Sequence, residues 1–126
     1  MELPVIEINE TEDTPRVYLN AAEGNFSIIG KSLPEDPAEF FDPIHNWFDN
    51  YLKQPNSSTT ITLELDYFNS ASSKQIVELL MKLENPSDGH ETKVLWRFHE
   101  DDELMELRGE ELKNVLDVTF EFESFS

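Results

Sequence analysis

The stretch that decides the fold is TTITLELDYFNSASSK, residues 59–74. In its first ten residues, polar side chains alternate with the apolar side chains of Ile61, Leu63, Leu65 and Tyr67. A period of two residues is typical of a β-strand that buries one face, so the pattern predicts a strand over 59–68. Because the other face is polar, we expect a sheet that carries helices mainly on one side.

A helix is predicted directly after this strand. Asn69 and Ser70 are favoured at helix starts, since their side-chain oxygens accept hydrogen bonds from backbone N–H groups that have no partner in the first turn. The buried stripe of this helix is expected to contain Ile76, Val77, Leu80 and Leu83. Residues 85–89, NPSDG, are typical turn residues and are expected to end it.

Three strands and a helix are predicted before residue 59. Short strands over 3–8 and 16–21 flank a polar loop, and the extended pattern resumes over 26–29. The helix is expected to begin with an N-cap, an N-terminal proline and a capping box, formed by Asp36, Pro37 and Glu39. Its apolar face is rich in aromatic side chains, which we interpret as core: Phe40, Phe41, Ile44, Trp47, Phe48, Tyr51 and Leu52.

The remaining chain predicts a strand over 93–98, a last helix over about 101–116, and a closing strand with Val118, Phe120 and Phe122 on one face. Gly109 is a weak point in the last helix, because glycine has a low helix propensity. The order is β-β-β-α-β-α-β-α-β, and its strand–helix–strand units can be parallel right-handed crossovers. The sequence therefore predicts the α+β class, with a mixed β-sheet and helices packed mainly on one face.

Composition limits the classes of function. A length of 126 residues fits one domain, so residues 1–126 are predicted to be a single domain. The absence of cysteine excludes disulfides, thiolate catalysis and cysteine-bound zinc. A formal net charge of −18 at pH 7 disfavours nucleic acid and anionic membranes, and it favours a basic protein partner unless the acidity serves only solubility. Since the sequence has no signal peptide and no membrane-spanning run, we expect a cytoplasmic protein.

We find no sequence motif for catalysis, for a cofactor or for a metal ion. The histidines His45, His90 and His99 lack ligand spacing, and there is no glycine-rich phosphate loop, Walker motif or nucleophile elbow. The acidic residues 100–102 after His99 are typical of a solvated helix start, although they could also hold a divalent ion. A small enzyme or ligand-binding domain that uses the acidic residues 100–103 is an alternative. It requires a pocket lined by carboxylates whose pKa is strongly raised.

The start of the second helix suits an anion. Backbone N–H groups without partners and the positive end of the helix dipole favour negative charge there. A phosphoryl group on Ser70 would add about 1.5 to 2 negative charges and strong acceptor oxygens. We expect this modification to alter a docking surface and to leave the fold intact.

Several segments of the chain resemble the SiaC-like regulatory phosphoproteins of bacteria. The resemblance covers nearly the whole chain, and it is carried by GKSLPE at 30–35, the helix through 40–47, LDYFNSASSK at 65–74 and the Leu95-Trp96 strand. It implies a fold similar to STAS domains and a non-catalytic switch in a partner-switching module. A SiaB-like protein kinase would phosphorylate a hydroxyl after the strand, and a SiaA-like, PP2C-like phosphatase would remove the phosphate. In the best-known branch of the family, the unphosphorylated form binds and activates a diguanylate cyclase, which raises cyclic di-GMP.

Carried over by position, the phosphorylated residue is Ser70. The family pattern often has Thr at position 70 and Ser at position 71, where this chain has Ser70 and Ala71, so three hydroxyls leave the assignment open. The resemblance implies that the partner-binding residues around the phosphosite are Asn69, Tyr67, Ser72, Ser73, Pro34 and Glu35. The expected output partner is a diguanylate cyclase or another effector protein, and the alternative is a STAS-type antagonist of an anti-sigma factor.

Overall fold

The computed structural model describes residues 3–84 and 90–126. The described chain forms nine elements: β1 (Ile6–Ile8), β2 (Arg16–Asn20), β3 (Asn25–Ser32), α1 (Pro37–Tyr51), β4 (Ser58–Phe68), α2 (Ser70–Met81), β5 (Glu91–His99), α3 (Glu103–Val115) and β6 (Thr119–Phe125). The predicted order β-β-β-α-β-α-β-α-β and the α+β class are thereby confirmed. The turn residues 85–89, which were expected to end the second helix, lie outside the described residues.

Strand β3 differs most from its predicted bounds. The sequence pattern predicts four residues, 26–29, whereas β3 has eight. Its first half pairs with β2, and nearly its whole length pairs with β4 as far as Ser32 opposite Phe68. The register shifts between Gly30 and Lys31, where Asp66 of β4 is the extra residue. Beyond this shift Tyr67 is exposed and Phe68 is buried, so the predicted place of Tyr67 on the buried face is wrong. Strand β1 is shorter than predicted, with only three residues.

The described strands form one sheet in the order β1-β2-β3-β4-β5-β6. The first two pairings are antiparallel, and the three pairings from β3 to β6 are parallel. Each parallel connection contains one helix. Since such crossovers are right-handed and all step in the same direction along this sheet, they place α1, α2 and α3 on the same face.

The core lies between that face of the sheet and the helices. Across the parallel strands, Leu63 lies opposite Trp96 and Trp96 lies opposite Phe122, so these side chains share the inner face. On α1 the predicted aromatic stripe is buried at Phe41, Ile44, Trp47, Phe48 and Tyr51. On α2 the buried apolar residues are Ile76, Leu79 and Leu80, of which Leu79 was not predicted.

The outer face of the sheet carries a row of charges instead of helices. The guanidinium of Arg97 on β5 donates hydrogen bonds to Glu64 on β4 and to Glu123 on β6. The hydrogen bond to Glu123 and the negative charge of Glu64 raise the pKa of Arg97 above its ordinary value. This face is therefore stabilised by cross-strand ion pairs.

In the described part of the chain, no helix is long and apolar enough to cross a membrane.

Candidate functional site

The candidate site lies where β4 ends and α2 begins. Asn69 is the N-cap of α2, and its side-chain oxygen accepts a hydrogen bond from the backbone N–H of Ser72 at 2.9 Å. The backbone of Asn69 is extended, with φ −88° and ψ 175°, as an N-cap requires. The helix start predicted from the sequence is therefore present, and Ser70 is the first residue of the helix.

The three hydroxyls of this helix start differ in accessibility. Ser70 is exposed, Ser73 is half-buried and Ser72 has 0% of its surface exposed. The Oγ of Ser72 donates to the backbone oxygen of Ser32 at 2.9 Å and accepts from the Oγ of Ser32 at 2.9 Å. A kinase cannot reach Ser72 without breaking this buried pair, so Ser70 and Ser73 are the accessible hydroxyls.

Both sequence motifs of the family resemblance meet at Ser32. Its backbone oxygen also accepts the N–H of Asn69 at 3.3 Å, so β3 is bonded to the cap residue and to the first turn of α2. Gly30, two residues earlier, has a φ of +125°, and a Cβ there would meet the side-chain carboxylate of Glu10. Glycine at this position therefore permits the backbone conformation that β3 adopts opposite the extra residue Asp66 of β4.

The segment after Ser32 carries the predicted partner-binding residues Pro34 and Glu35. Pro34 is buried and Glu35 is exposed. The backbone N–H of Leu33 donates to Asp13 at 2.7 Å, which holds this segment against the loop between β1 and β2. The structure thus brings the segment next to the site through Ser32 but does not place Pro34 or Glu35 in the groove described next.

A groove of about 390 Å³ runs between the start of α2 and helix α3. It is lined by Tyr67, Phe68, Asn69, Ser70, Ser73, Leu104, Met105, Arg108, Glu111, Leu112 and Val115. Three of its apolar side chains are unusually exposed, with Tyr67 at 47%, Leu104 at 51% and Val115 at 70%. Apolar side chains exposed together beside polar ones are typical of a protein-docking surface.

Sequence reasoning missed the contribution of α3 to this groove. Leu104, Arg108, Glu111 and Val115 follow one another at intervals of three or four residues, so they lie along one helix face. A second apolar face on this helix, formed by Leu104 and Val115, was the sequence signal that could have indicated a docking surface. The sequence could not show that this face lies beside Ser70.

Helix α3 is held in place by Trp96 of β5. The indole N–H of Trp96 donates to the backbone oxygen of Met105 at 2.9 Å. Gly109 allows this close approach, because a Cβ there would lie 2.6 Å from the indole ring and 2.7 Å from Phe122. The helix does not break at Gly109, where the sequence indicated a weak point. Close packing against the sheet requires the missing side chain.

The groove contains one ion pair. Nη1 of Arg108 lies 3.1 Å from Oε1 of Glu111, and both side chains are exposed. Among the described residues that line the groove, Arg108 is the one basic residue and Glu111 the one acidic residue. A further cation, Lys74, is exposed about one helical turn after Ser70.

The histidines and acidic residues considered for metal binding have structural contacts. Nδ1 of His90 lies 2.6 Å from the backbone oxygen of Asn56, and His90 is buried. Nδ1 of His99 accepts the N–H of Asp101, while Asp102 caps α3 by accepting the N–H of Met105 at 3.0 Å. Within residues 3–84 and 90–126, no group of three or more His, Asp or Glu residues could hold a metal ion.

Residues 8–125 match the family described as SiaC family regulatory phosphoprotein. The chain belongs to this family. An uncharacterized protein of Pseudomonas aeruginosa (strain UCBPP-PA14) is 26% identical over 118 residues, which are 93% of this chain and 92% of that protein.

Solved structures of SiaC from Pseudomonas aeruginosa share the fold. Apo-SiaC is 24% identical with a TM-score of 0.81, and the match covers 96% of this chain and 99% of that one. A second match is to a crystal structure of the diguanylate cyclase SiaD in complex with its activator SiaC. The matched chain is 23% identical with a TM-score of 0.85, and the match covers 95% of this chain and 99% of that one. The family assignment predicted from the loop motifs is confirmed.

Proposed function

We propose that this chain is a non-catalytic, cytoplasmic binding protein of a bacterial partner-switching module, controlled by phosphorylation of Ser70. A SiaB-like kinase would transfer the γ-phosphoryl group of ATP to Oγ of Ser70, with release of ADP and of the hydroxyl proton. A SiaA-like, PP2C-like phosphatase would hydrolyse the ester. The proposal treats residues 1–126 as one domain, since buried residues from the sheet and from all three helices form one cluster.

The position of Ser70 carries the proposal. Its hydroxyl is exposed on the lining of a groove that also has exposed apolar side chains, whereas the neighbouring Ser72 is sealed by Ser32. A phosphate there would add about 1.5 to 2 negative charges to a surface that a partner must dehydrate to bind. Docking would be opposed, because burying a charge without a partner is costly.

The proposed output partner is a diguanylate cyclase, which the unphosphorylated chain would bind and activate. Support comes from the related SiaC, described as the activator of the cyclase SiaD and crystallised in complex with it. The groove adds support from this chain itself, since Tyr67, Leu104 and Val115 offer apolar surface for a protein partner.

Phosphopeptide mapping tests the acceptor. The full chain is incubated with the SiaB-like kinase and ATP-Mg²⁺, and modified peptides are mapped by mass spectrometry. We expect phosphate on Ser70, its loss in Ser70→Ala, and normal yield in Ser73→Ala, which is the matched control. Phosphate on Ser73, or full yield in Ser70→Ala, would contradict the assignment.

A pull-down tests the output. Unphosphorylated chain is used to capture purified diguanylate cyclase and, in parallel, an anti-sigma kinase. Binding and activation of the cyclase are expected. Capture of the anti-sigma kinase alone would contradict the cyclase assignment and would favour the STAS-type antagonist.

A further inference from the structure

The groove beside Ser70 already contains a basic residue positioned by the fold. Arg108 lies on α3, and the residue after it, Gly109, packs directly against Trp96. The backbone that carries Arg108 is therefore fixed relative to β5 and to the sheet. Its side chain is exposed, and within the described part of the chain it pairs with Glu111 of the same helix, at 3.1 Å.

This ion pair is easy to break. Exposed pairs three residues apart on a helix contribute about 0.3 to 0.5 kcal/mol. A phosphoserine carries more charge than a glutamate, and its oxygens can bind both arms of a guanidinium at once. A phosphate introduced on the same groove would therefore compete successfully with Glu111.

We propose that Arg108 is the intramolecular receptor of a phosphate on Ser70, and that phosphorylation moves its guanidinium from Glu111 to the phosphate and draws the two sides of the groove together. This inference rests on the proposed phosphorylation of Ser70. It adds a second way in which the modification opposes docking. The phosphate brings charge to the groove, and the bridge to Arg108 occupies the space that a partner would enter.

Two other cations lie near Ser70: Lys74 in the sequence, and Lys31 through the pairing of β3 with β4. Lys31 precedes Ser32, whose side chain bonds to α2, so Lys31 points to the opposite face of the sheet. Lys74 lies four residues after Ser70, a spacing at which side chains of one helix meet, but it does not line the groove. Lys74 is therefore the relevant competitor, and the experiment includes it.

The test uses the full chain with phosphoserine incorporated at position 70 by an expanded genetic code, so that no kinase is needed. The second pKa of the phosphate, ordinarily about 6, is measured by ³¹P NMR titration. A nearby cation favours the dianion and lowers this pKa. We expect the phosphate pKa of the parent protein to lie about 0.5 pH unit below that of Arg108→Gln.

Lys74→Gln is the matched control, since it removes the same charge and introduces the same residue as Arg108→Gln. It is expected to shift the phosphate pKa by less than half as much as Arg108→Gln. Glu111→Gln releases Arg108 from its present partner, so the phosphate pKa in this variant is expected to stay as low as in the parent protein. An Arg108→Gln protein that titrates like the parent, or a larger shift in Lys74→Gln, would overturn the proposal.

Failure of this inference can be told apart from failure of the proposed function. The titration requires only that phosphate is present on residue 70, whereas the phosphopeptide map asks whether a kinase places it there. Circular dichroism and a thermal melt of Arg108→Gln check the fold. Arg108→Lys provides a second variant, which keeps the charge, loses the two-armed contact and is expected to restore only part of the pKa shift.

Discussion

Substitution of Ser72 tests the buried hydroxyl pair that holds the phosphosite against β3. In Ser72→Ala, the Oγ of Ser32 loses its acceptor, while the backbone oxygen of Ser32 still accepts the N–H of Asn69 at 3.3 Å. A buried donor left without a partner costs about 1 to 3 kcal/mol. We therefore expect the free energy of unfolding to fall by about 2 kcal/mol.

The reverse substitution, Ser32→Ala, is expected to be milder. The Oγ of Ser72 keeps its bond to the backbone oxygen of residue 32 and loses only the hydrogen bond that it accepts, worth about 1 kcal/mol. The double variant leaves no unpaired hydroxyl, so it should cost about 2 kcal/mol in total. The two single effects therefore sum to about 1 kcal/mol more than the double effect.

Urea denaturation of the four proteins measures this cycle, with Ser70→Ala as the control for loss of an exposed hydroxyl. The control is expected to change the free energy of unfolding by less than about 0.5 kcal/mol. A Ser72→Ala protein as stable as the control, or strictly additive single effects, would refute the reasoning. Either result would mean that the buried pair does not couple β3 to the helix start.

Three further predictions concern the groove. Gly109→Ala should destabilise the chain by about 1 to 3 kcal/mol despite the better helix propensity of alanine, because its Cβ would meet the indole of Trp96, and thermal or urea unfolding measures this loss. Leu104→Ser should weaken cyclase binding about tenfold by calorimetry, whereas Leu107→Ser, equally exposed at 51% but outside the groove lining, should not. Ser70→Ala should bind the cyclase constitutively in the presence of kinase and ATP, while Ser70→Asp should bind more weakly with an unchanged melting curve, although Asp copies a phosphate poorly in charge and geometry.

Local patterns in the sequence predicted the elements well. The alternation from Ile61 to Leu65 and the cap at Asn69 each depend on neighbours within a few residues, and both are present. The prediction that Tyr67 continues the buried face is wrong, because the register shifts at Asp66 and Phe68 is buried instead. The exposure of Ser70, in contrast to Ser72, does not follow from spacing alone. The burial of the Ser72 hydroxyl depends on its contact with Ser32, which lies 40 residues away from Ser72 in the chain.

Features that depend on distant contacts could not be predicted. The second half of β3 is a strand because it pairs with β4, although Gly30, Lys31 and Ser32 lack the apolar side chains that predict a strand. The role of Gly109 depends on Trp96 of another element. For the same reason the sequence did not show that Arg108 lines the same groove as Ser70, since the position of α3 is set by packing against the sheet.

The most direct measurement compares the affinity of a purified diguanylate cyclase for the chain with serine and with phosphoserine at position 70, by isothermal titration calorimetry. If this hydroxyl controls the groove, the phosphorylated chain binds at least about tenfold more weakly, which corresponds to 1.4 kcal/mol, and its fold is unchanged. Equal affinities for the two forms would contradict the account.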